Sequence, residues 1–354
     1  MRSIKLKRPD DWHIHLRDDQ YLARTVGDAA RYFNRVLVMP NLIPPVTTVE
    51  LAEDYRNRIL SHAPPNFSPL IALYLTDETD SSTIKKAAET SFTPAFKLYP
   101  AGATTNSDFG INTIEKMFPL FETMQNRDVI LSIHGEVTDQ DIDIFDREAV
   151  FIDRILSKIV STFPALRIIL EHITTREATD FIHEASNRVA ATITAHHLLY
   201  SRNDMLVGGI KPIHYCLPIL KRNTHQRALI KAATSGDSSF FIGTDSAPHP
   251  RHAKENACGC AAGCYTAHAA LELYAEIFDR EGKLDKLEGF TSNFGADFYQ
   301  IPRNEDYIEL TQKEWRVASS LKFGSDDLIP TRGGDVIGWQ VTEGNRFVLN
   351  NGVN

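Results

Sequence analysis

Length, composition and charge are those of an ordinary globular protein. The chain has 354 residues, of which 42% are hydrophobic and 24% charged, and it is long enough to bury a large core. Its formal net charge of -8 argues against non-specific nucleic-acid binding. No apolar run is long enough to span a bilayer. The basic N-terminal segment "MRSIKLKRPDD" lacks the apolar core of a signal peptide, so we expect a cytoplasmic protein without membrane partners.

Strand-like segments alternate with helix-like segments along the chain. Eight segments are strand-like, in the order "DWHIHL", "RVLVMPN", "LIALYLTD", "PAFKLYP", "DVILSIHGE", "LRIILEHI", "RVAATITAHHL" and "SFFIGTDSAP". They are rich in Val, Ile, Leu and Phe with little alternation, as expected of parallel strands that are buried on both faces. Amphipathic stretches such as "TVELAEDYRNRIL", "TIEKMFPLFETMQN" and "DREAVFIDRILSKIV" lie between them.

Eight such units in about 250 residues predict a (β/α)₈ barrel of the α/β class. A doubly wound open sheet is the alternative, and the absence of a glycine-rich phosphate loop after any strand weakens its nucleotide-binding version. We expect one domain over residues 1–354, with roughly 303–354 as a C-terminal extension packed on the barrel.

Polar residues recur where the predicted strands end, which in a barrel is the catalytic face. They are His13, His15, Arg17, Asn41, Lys97, His134, His172 and Asp245. Each alone has an ordinary explanation, such as a solvated histidine or an aspartate that caps a helix. However, five of the eight segments bring a possible nitrogen or oxygen ligand to the same rim. Chance placement explains that set poorly.

Lys97 lies between apolar neighbours within a predicted strand. A buried ammonium is costly, so such a lysine is paired, or its pKa shifts. It could instead pack its stem and extend its head to water. A neutral lysine amine can add CO₂, and the resulting carbamate can bridge two metal ions. Four neutral histidines, one carbamate and one aspartate can ligate two zinc ions. The charge of the two ions exceeds that of the carbamate, the aspartate and a bridging hydroxide, and this net positive charge suits an anionic substrate.

Together these segments resemble the amidohydrolase superfamily and, within it, the dihydroorotases of the monofunctional bacterial type. The resemblance covers nearly the whole chain. It rests on "DWHIHLRD", "MPNLIPPVTT", "KLYPAGATTNS", "IHGEV", "LEHITT" and "GTDSAPH". The family fold is a (β/α)₈ barrel, and its members are commonly homodimers.

The resemblance implies a role for each matching residue. His13, His15, Lys97 and Asp245 would bind the more buried zinc, and His134 and His172 would bind the second. Carboxylated Lys97 and a hydroxide would bridge the two ions, and Asp245 would also be the general base and acid. The residues implied in substrate binding are His15, Arg17, Asn41, Leu217, His249 and Ala262. Thr104 and Thr105 match a mobile loop that closes over the substrate.

The cysteine loop departs from the family pattern. The chain has four cysteines, Cys216, Cys258, Cys260 and Cys264, too few for a disulfide framework. The last three lie in "CGCAAGC", which is one residue longer than the usual C-G-C-A-G-C. Either Ala261 or Ala262 could therefore contact the substrate, and we favour Ala262, which directly precedes Gly263. A structural zinc site with His252 or His268 is an alternative that the resemblance disfavours. His196 and His197 could line the site, but we assign them no metal role.

The implied activity is the reversible cyclisation of N-carbamoyl-L-aspartate to L-dihydroorotate in pyrimidine biosynthesis. In the hydrolytic direction, the bridging hydroxide would attack the ring amide carbonyl. One alternative is another cyclic amidohydrolase, such as a hydantoinase or allantoinase, whose substrates lack the ring carboxylate. The other is a non-catalytic barrel scaffold, which the six intact ligand positions disfavour.

Overall fold

The computed structural model describes residues 2–343. The strands are β1 (Ser3–Lys7), β2 (Asp10–Ile14), β3 (Arg35–Val38), β4 (Ser68–Ile71), β5 (Leu73–Leu75), β6 (Ala95–Leu98), β7 (Ile130–Ile133), β8 (Ile168–Leu170), β9 (Val189–Ile193), β10 (Phe240–Ile242), β11 (Tyr307–Arg316), β12 (Leu321–Phe323), β13 (Asp326–Leu328) and β14 (Val336–Glu343).

The strands from β2 to β10 are parallel and form a closed ring. β2, β3 and β4 pair in that order, and β5 to β10 pair in sequence. Only Ala72 separates β4 from β5, so the two are parts of one strand. A parallel bridge between Ile14 and Ser246 joins the first strand of the ring to the segment that follows the last. The backbone amide of Asp245 also donates to the His13 carbonyl at 2.8 Å. The prediction of a (β/α)₈ barrel is confirmed.

Helices surround the ring. They are α1 (Leu22–Ala30), α2 (Val49–Leu60), α3 (Ser81–Ala88), α4 (Phe118–Arg127), α5 (Arg147–Phe151), α6 (Ser157–Thr162), α7 (Arg176–Glu184), α8 (Ala195–Leu199), α9 (Arg202–Leu206), α10 (Asn223–Ala233), α11 (Arg251–Lys254), α12 (Ala270–Arg280) and α13 (Phe294–Tyr299). The barrel strands are buried along their whole length because helices cover one face and the barrel interior the other. No helix of the described residues is long and apolar enough to cross a membrane.

The end of the barrel opposite the carboxyl-terminal ends of its strands is tightly packed. Trp12 on β2 stacks on Tyr299 with ring centroids 4.2 Å apart. A Cβ on Gly295 would lie 2.0 Å from Nε1 of Trp12, so this position requires glycine. The packing fixes β2, the strand that carries the first predicted ligand.

An antiparallel sheet lies beside the barrel and combines both ends of the chain. β11 pairs with β1 on one side and with β14 on the other. The predicted extension over roughly 303–354 therefore shares a sheet with the N-terminal strand, which the sequence did not predict as a strand. Its residues 344–354 lie outside the described part of the chain. The prediction of a single domain over 1–354 stays a prediction.

Candidate metal centre and substrate pocket

Three predicted ligands meet where β2 and β10 end. His13 lies on β2 and His15 directly follows it, so both rings reach the same face. Nε2 of His15 is 3.0 Å from Oδ1 of Asp245, and Nε2 of His13 is 3.4 Å from the same oxygen. All three side chains are buried. These ligand atoms lie within 4.8 Å of one another, a spacing that could hold a metal ion.

The remaining predicted ligands complete the same rim. The ring centroid of His172 is 5.0 Å from that of His13 and 4.8 Å from that of His134. Lys97 on β6 is fully buried, and its Nζ has no hydrogen-bond partner among the described residues. Burial lowers the pKa of Lys97 to about 8. An unpaired amine that is partly neutral beside four imidazoles fits the donor set of a metal centre.

Two buried glutamates orient the histidines. Nδ1 of His13 lies 2.9 Å from Oε2 of Glu171. The Thr192 hydroxyl donates to the same Oε2, and the Ser132 hydroxyl donates to Oε1. Nε2 of His134 lies 2.8 Å from Oε2 of Glu136. Because an ionised carboxylate only accepts, each contacted ring nitrogen carries the hydrogen and the other nitrogen stays free as a ligand. Sequence reasoning missed both glutamates.

The aspartates beside the first histidine have structural roles. Asp11 accepts hydrogen bonds from the amides of His13 and Thr244 and from the Thr244 hydroxyl at 2.5 Å. Asp10 forms a buried ion pair with Arg35 at 2.6 Å. Asp11 therefore joins the strand that carries His13 to the segment that carries Asp245.

The electrostatics of the site keep His15 and His172 neutral and Asp245 ionised. Burial lowers the pKa of His15 to about 4 and holds that of His172 well below its ordinary value. Burial alone would raise the pKa of Asp245, but the hydrogen bond with His15 and the electrostatic interaction with His13 lower it below the ordinary range. Neutral imidazoles and an ionised carboxylate are the forms that bind metal ions.

The predicted substrate residues other than His249 line one pocket together with the predicted histidine ligands and Asp245, and His249 contacts two of its lining residues. Nε of Arg17 donates to the Pro248 carbonyl at 3.0 Å, and its Nη2 lies 3.1 Å from Nε2 of His249. Nε2 of His249 is also 2.9 Å from the Ala262 carbonyl, which the neutral imidazole can reach as a donor. Leu217 and Ala262 both line the pocket, and Ala261 is not among its lining residues.

The loop that carries Thr104 and Thr105 lies over this pocket. The side-chain amide of Asn41 donates to the Thr105 carbonyl at 2.9 Å, and the Thr105 hydroxyl donates to the Ala262 carbonyl at 3.4 Å. Asn106 donates back to the Asn41 carbonyl at 2.9 Å. The structure thus shows the loop in contact with two of the predicted substrate residues.

Three of the site residues have left-handed backbone conformations. The φ angles are 58° at Arg17, 41° at His172 and 43° at Asp245. Such angles are unfavourable for residues with a Cβ, and they concentrate at functional sites, where the surrounding structure fixes a side chain. All three follow the ends of barrel strands, so the strain turns these side chains into the pocket.

The cysteine loop contributes no histidine-bound metal group within residues 2–343. Cys258 is exposed and Cys264 is buried, and they share no ligand cluster with His252 or His268. His196 and His197 are buried outside the pocket lining. His197 and Cys216 belong to a second candidate ligand group with His196, but His197 already binds Thr194 and the Pro218 carbonyl through its two ring nitrogens.

A closed barrel with four imidazoles, a buried lysine and an aspartate at its carboxyl-terminal rim defines a metal-dependent hydrolase site. Residues 11–309 match the amidohydrolase family. A dihydroorotase of Vibrio atlanticus is 59% identical over 342 residues, which are 96% of this chain and 100% of the relative.

Two solved structures agree. The crystal structure of dihydroorotase from Campylobacter jejuni has a TM-score of 0.89 and 35% identity, covering 96% of this chain and 98% of that one. The Saccharomyces cerevisiae dihydroorotase in complex with 5-fluoroorotic acid has a TM-score of 0.89 and 34% identity, covering 97% and 99%. The chain belongs to the amidohydrolase family and, within it, to the dihydroorotases.

Proposed function

We propose that this chain catalyses the reversible cyclisation of N-carbamoyl-L-aspartate to L-dihydroorotate, a step of pyrimidine biosynthesis. The observation that carries the proposal is one pocket that contains both a group of possible metal ligands and an arginine. His13, His15 and Asp245 form the group of possible metal ligands, and Arg17 lines the same pocket. The membership in the dihydroorotases supports the same activity.

Two zinc ions are the proposed cofactors. His13, His15 and Asp245 would hold the more buried ion, His134 and His172 the second, and carboxylated Lys97 would bridge them. The partly neutral, unpaired Lys97 amine supports this bridge, because it can add CO₂ with loss of one proton. When bound, the zinc pair supplies Lewis acidity, which lowers the pKa of water and polarises an amide carbonyl.

Asp245 is the proposed proton carrier. In ring opening, water adds to the amide carbon, the ring C–N bond breaks, and the nitrogen gains a proton. Asp245 is ionised because the contact with His15 lowers its pKa, so it can accept the proton from the attacking water. It then delivers that proton to the leaving nitrogen. Ring closure uses the same groups in reverse.

Arg17, Asn41 and His249 are the proposed carboxylate ligands. The Arg17 guanidinium is a planar fork that fits a carboxylate in two-point contact. Backbone groups of Leu217 and Ala262 would contact the pyrimidine ring, and Thr104 and Thr105 would close over the substrate. The contacts of Thr105 with Asn41 and Ala262 support this closure.

A homodimer is the proposed assembly, since dihydroorotases of this type are commonly dimeric. Light scattering coupled to size-exclusion chromatography tests it, and a monomer at working concentration would contradict it. The cytoplasmic location stays a prediction.

A substrate panel tests the proposed activity. L-dihydroorotate, hydantoin, allantoin and dihydrouracil are each offered to the zinc-loaded protein. We expect turnover of L-dihydroorotate to dominate, because only this ring bears the carboxylate that Arg17 would bind. Preferential turnover of a ring without that carboxylate would overturn the proposal in favour of another cyclic amidohydrolase.

A further inference from the structure

A buried ammonium lies behind the substrate pocket. Lys254, the last residue of α11, is only 4% exposed. Its Nζ donates to three carbonyls, those of Tyr215 at 2.7 Å, Ala261 at 2.8 Å and Gly263 at 2.8 Å. These three bonds use every hydrogen of the ammonium. No carboxylate among residues 2–343 forms a salt bridge with Lys254. The polar groups that contact its ammonium are the three carbonyls.

The three carbonyls flank the two backbone segments that line the pocket. Tyr215 is two residues before Leu217, and Ala261 and Gly263 lie on either side of Ala262. The Gly263 amide also donates to the Tyr215 carbonyl at 3.0 Å, so the segments are joined directly as well. The Ala262 carbonyl points the other way, toward His249 and Thr105.

This arrangement explains how the longer cysteine loop is accommodated. The ammonium binds the carbonyl of Ala261, and the Ala261 amide donates to the Ala253 carbonyl at 2.9 Å. Both polar backbone groups of Ala261 are thereby occupied away from the substrate. Ala262 is left as the alanine that lines the pocket.

The charge of Lys254 also reaches the carboxylate side of the pocket. The pKa of His249 is held well below its ordinary value by burial first, and then by the positive charges of Arg17 and Lys254. A cation without an acidic partner near this wall favours an anionic ligand.

We propose that Lys254 is a positioning residue for substrate recognition, which fixes the Leu217 and Ala262 segments in register with the bound pyrimidine ring. The proposal rests on the proposed function. A purely structural lysine would stabilise the fold without changing the affinity for substrate. The two roles therefore differ in KM and in ligand affinity.

The test compares Lys254→Met, which keeps the apolar stem and removes the ammonium, with Lys221→Met. Lys221 is equally buried at 4% exposure, but its Nζ donates to a single carbonyl among residues 2–343, that of Ile219, at 3.1 Å. For each variant the KM and kcat for L-dihydroorotate, the Kd of 5-fluoroorotic acid, the zinc content and the Tm are measured.

We expect Lys254→Met to raise KM and Kd together by about tenfold or more, with the zinc content unchanged and a smaller change in kcat. Lys221→Met should leave KM and Kd at the wild-type values. A Lys254→Met protein with a lower Tm but wild-type KM and Kd would overturn the positioning role.

If Lys254→Met does not fold, Lys254→Arg takes its place under the same criteria, because a planar guanidinium cannot repeat the three ammonium contacts. A wild-type protein that binds 5-fluoroorotic acid without turning over L-dihydroorotate would overturn the proposed function, and the Kd comparison would still decide the role of Lys254. A wild-type protein that does neither would overturn both.

Discussion

The Glu171 carboxylate lies 2.9 Å from Nδ1 of His13 and fixes which nitrogen of that imidazole faces the site. Burial would raise the pKa of Glu171, but the electrostatic interaction with His13 and the hydrogen bond between the two side chains lower it. The ionised carboxylate holds the hydrogen on Nδ1 and leaves Nε2 free toward Asp245. Glu171 thus orients a ligand without being one.

We expect Glu171→Gln to weaken zinc binding by about 10- to 100-fold, because removing a carboxylate that orients a ligating histidine commonly has an effect of that size. The side chain keeps its length but loses its charge, and its amide group cannot accept from both Ser132 and Thr192. Competition with a chromogenic chelator measures the affinity. Glu272→Gln is the matched control, since Glu272 is also fully buried but contacts Arg31 and the C-terminal sheet. Equal zinc affinities in the two variants would contradict the orienting role.

Lys97→Ala should lose zinc and activity together. Alanine cannot form the proposed carbamate, and its side chain carries no atom that can ligate a metal ion. Short carboxylic acids such as acetate or propionate should restore part of both properties by occupying the vacated space. Metal analysis and initial rates are measured with and without the acid. A Lys97→Ala protein with full zinc content would rule out the bridging role.

Arg17→Lys should raise the KM for L-dihydroorotate while zinc content stays at the wild-type value. A lysine is a point charge and replaces the two-point contact of the guanidinium poorly. The loss of one charge-assisted hydrogen bond corresponds to about a tenfold or greater rise in KM. Unchanged kinetics would mean that Arg17 does not contact the substrate.

The equilibrium position should depend on pH. Ring closure consumes one proton, because a dianion becomes a monoanion. Lower pH therefore favours L-dihydroorotate, by about tenfold per pH unit where no other group titrates. The ratio of the two compounds after prolonged incubation with the protein, measured from both directions, reports this slope. A ratio that does not move with pH would exclude this pair of substrates.

The barrel and the proposed ligand set follow from local patterns in the sequence, and the ligand roles stay a prediction. Most of the parallel strands are apolar runs, and each predicted ligand lies on a strand or within about three residues of its end. Chain order then places His13, His172 and Asp245 at one rim. The N-terminal strand β1 was missed because its regular partner within residues 2–343 is β11, which lies far away in the sequence.

The supporting residues could not be predicted in the same way. Glu171 contacts His13 across 158 positions of sequence, and Asp11 contacts Thr244 across 233. Lys254 occurs in a polar stretch that predicts an exposed lysine, and only the folded loops bring three carbonyls to it. Each of these contacts depends on the closure of the barrel or on loop conformation, which have no periodic signal in the sequence.

The most direct test of the account is the rate of L-dihydroorotate ring opening before and after chelator treatment. We expect fast turnover by the purified protein, its loss after chelation and its return when zinc is added. The same samples are analysed for metal, with Asp245→Asn as an inactive control. Protein that carries about two zinc ions per chain without opening L-dihydroorotate would contradict the account.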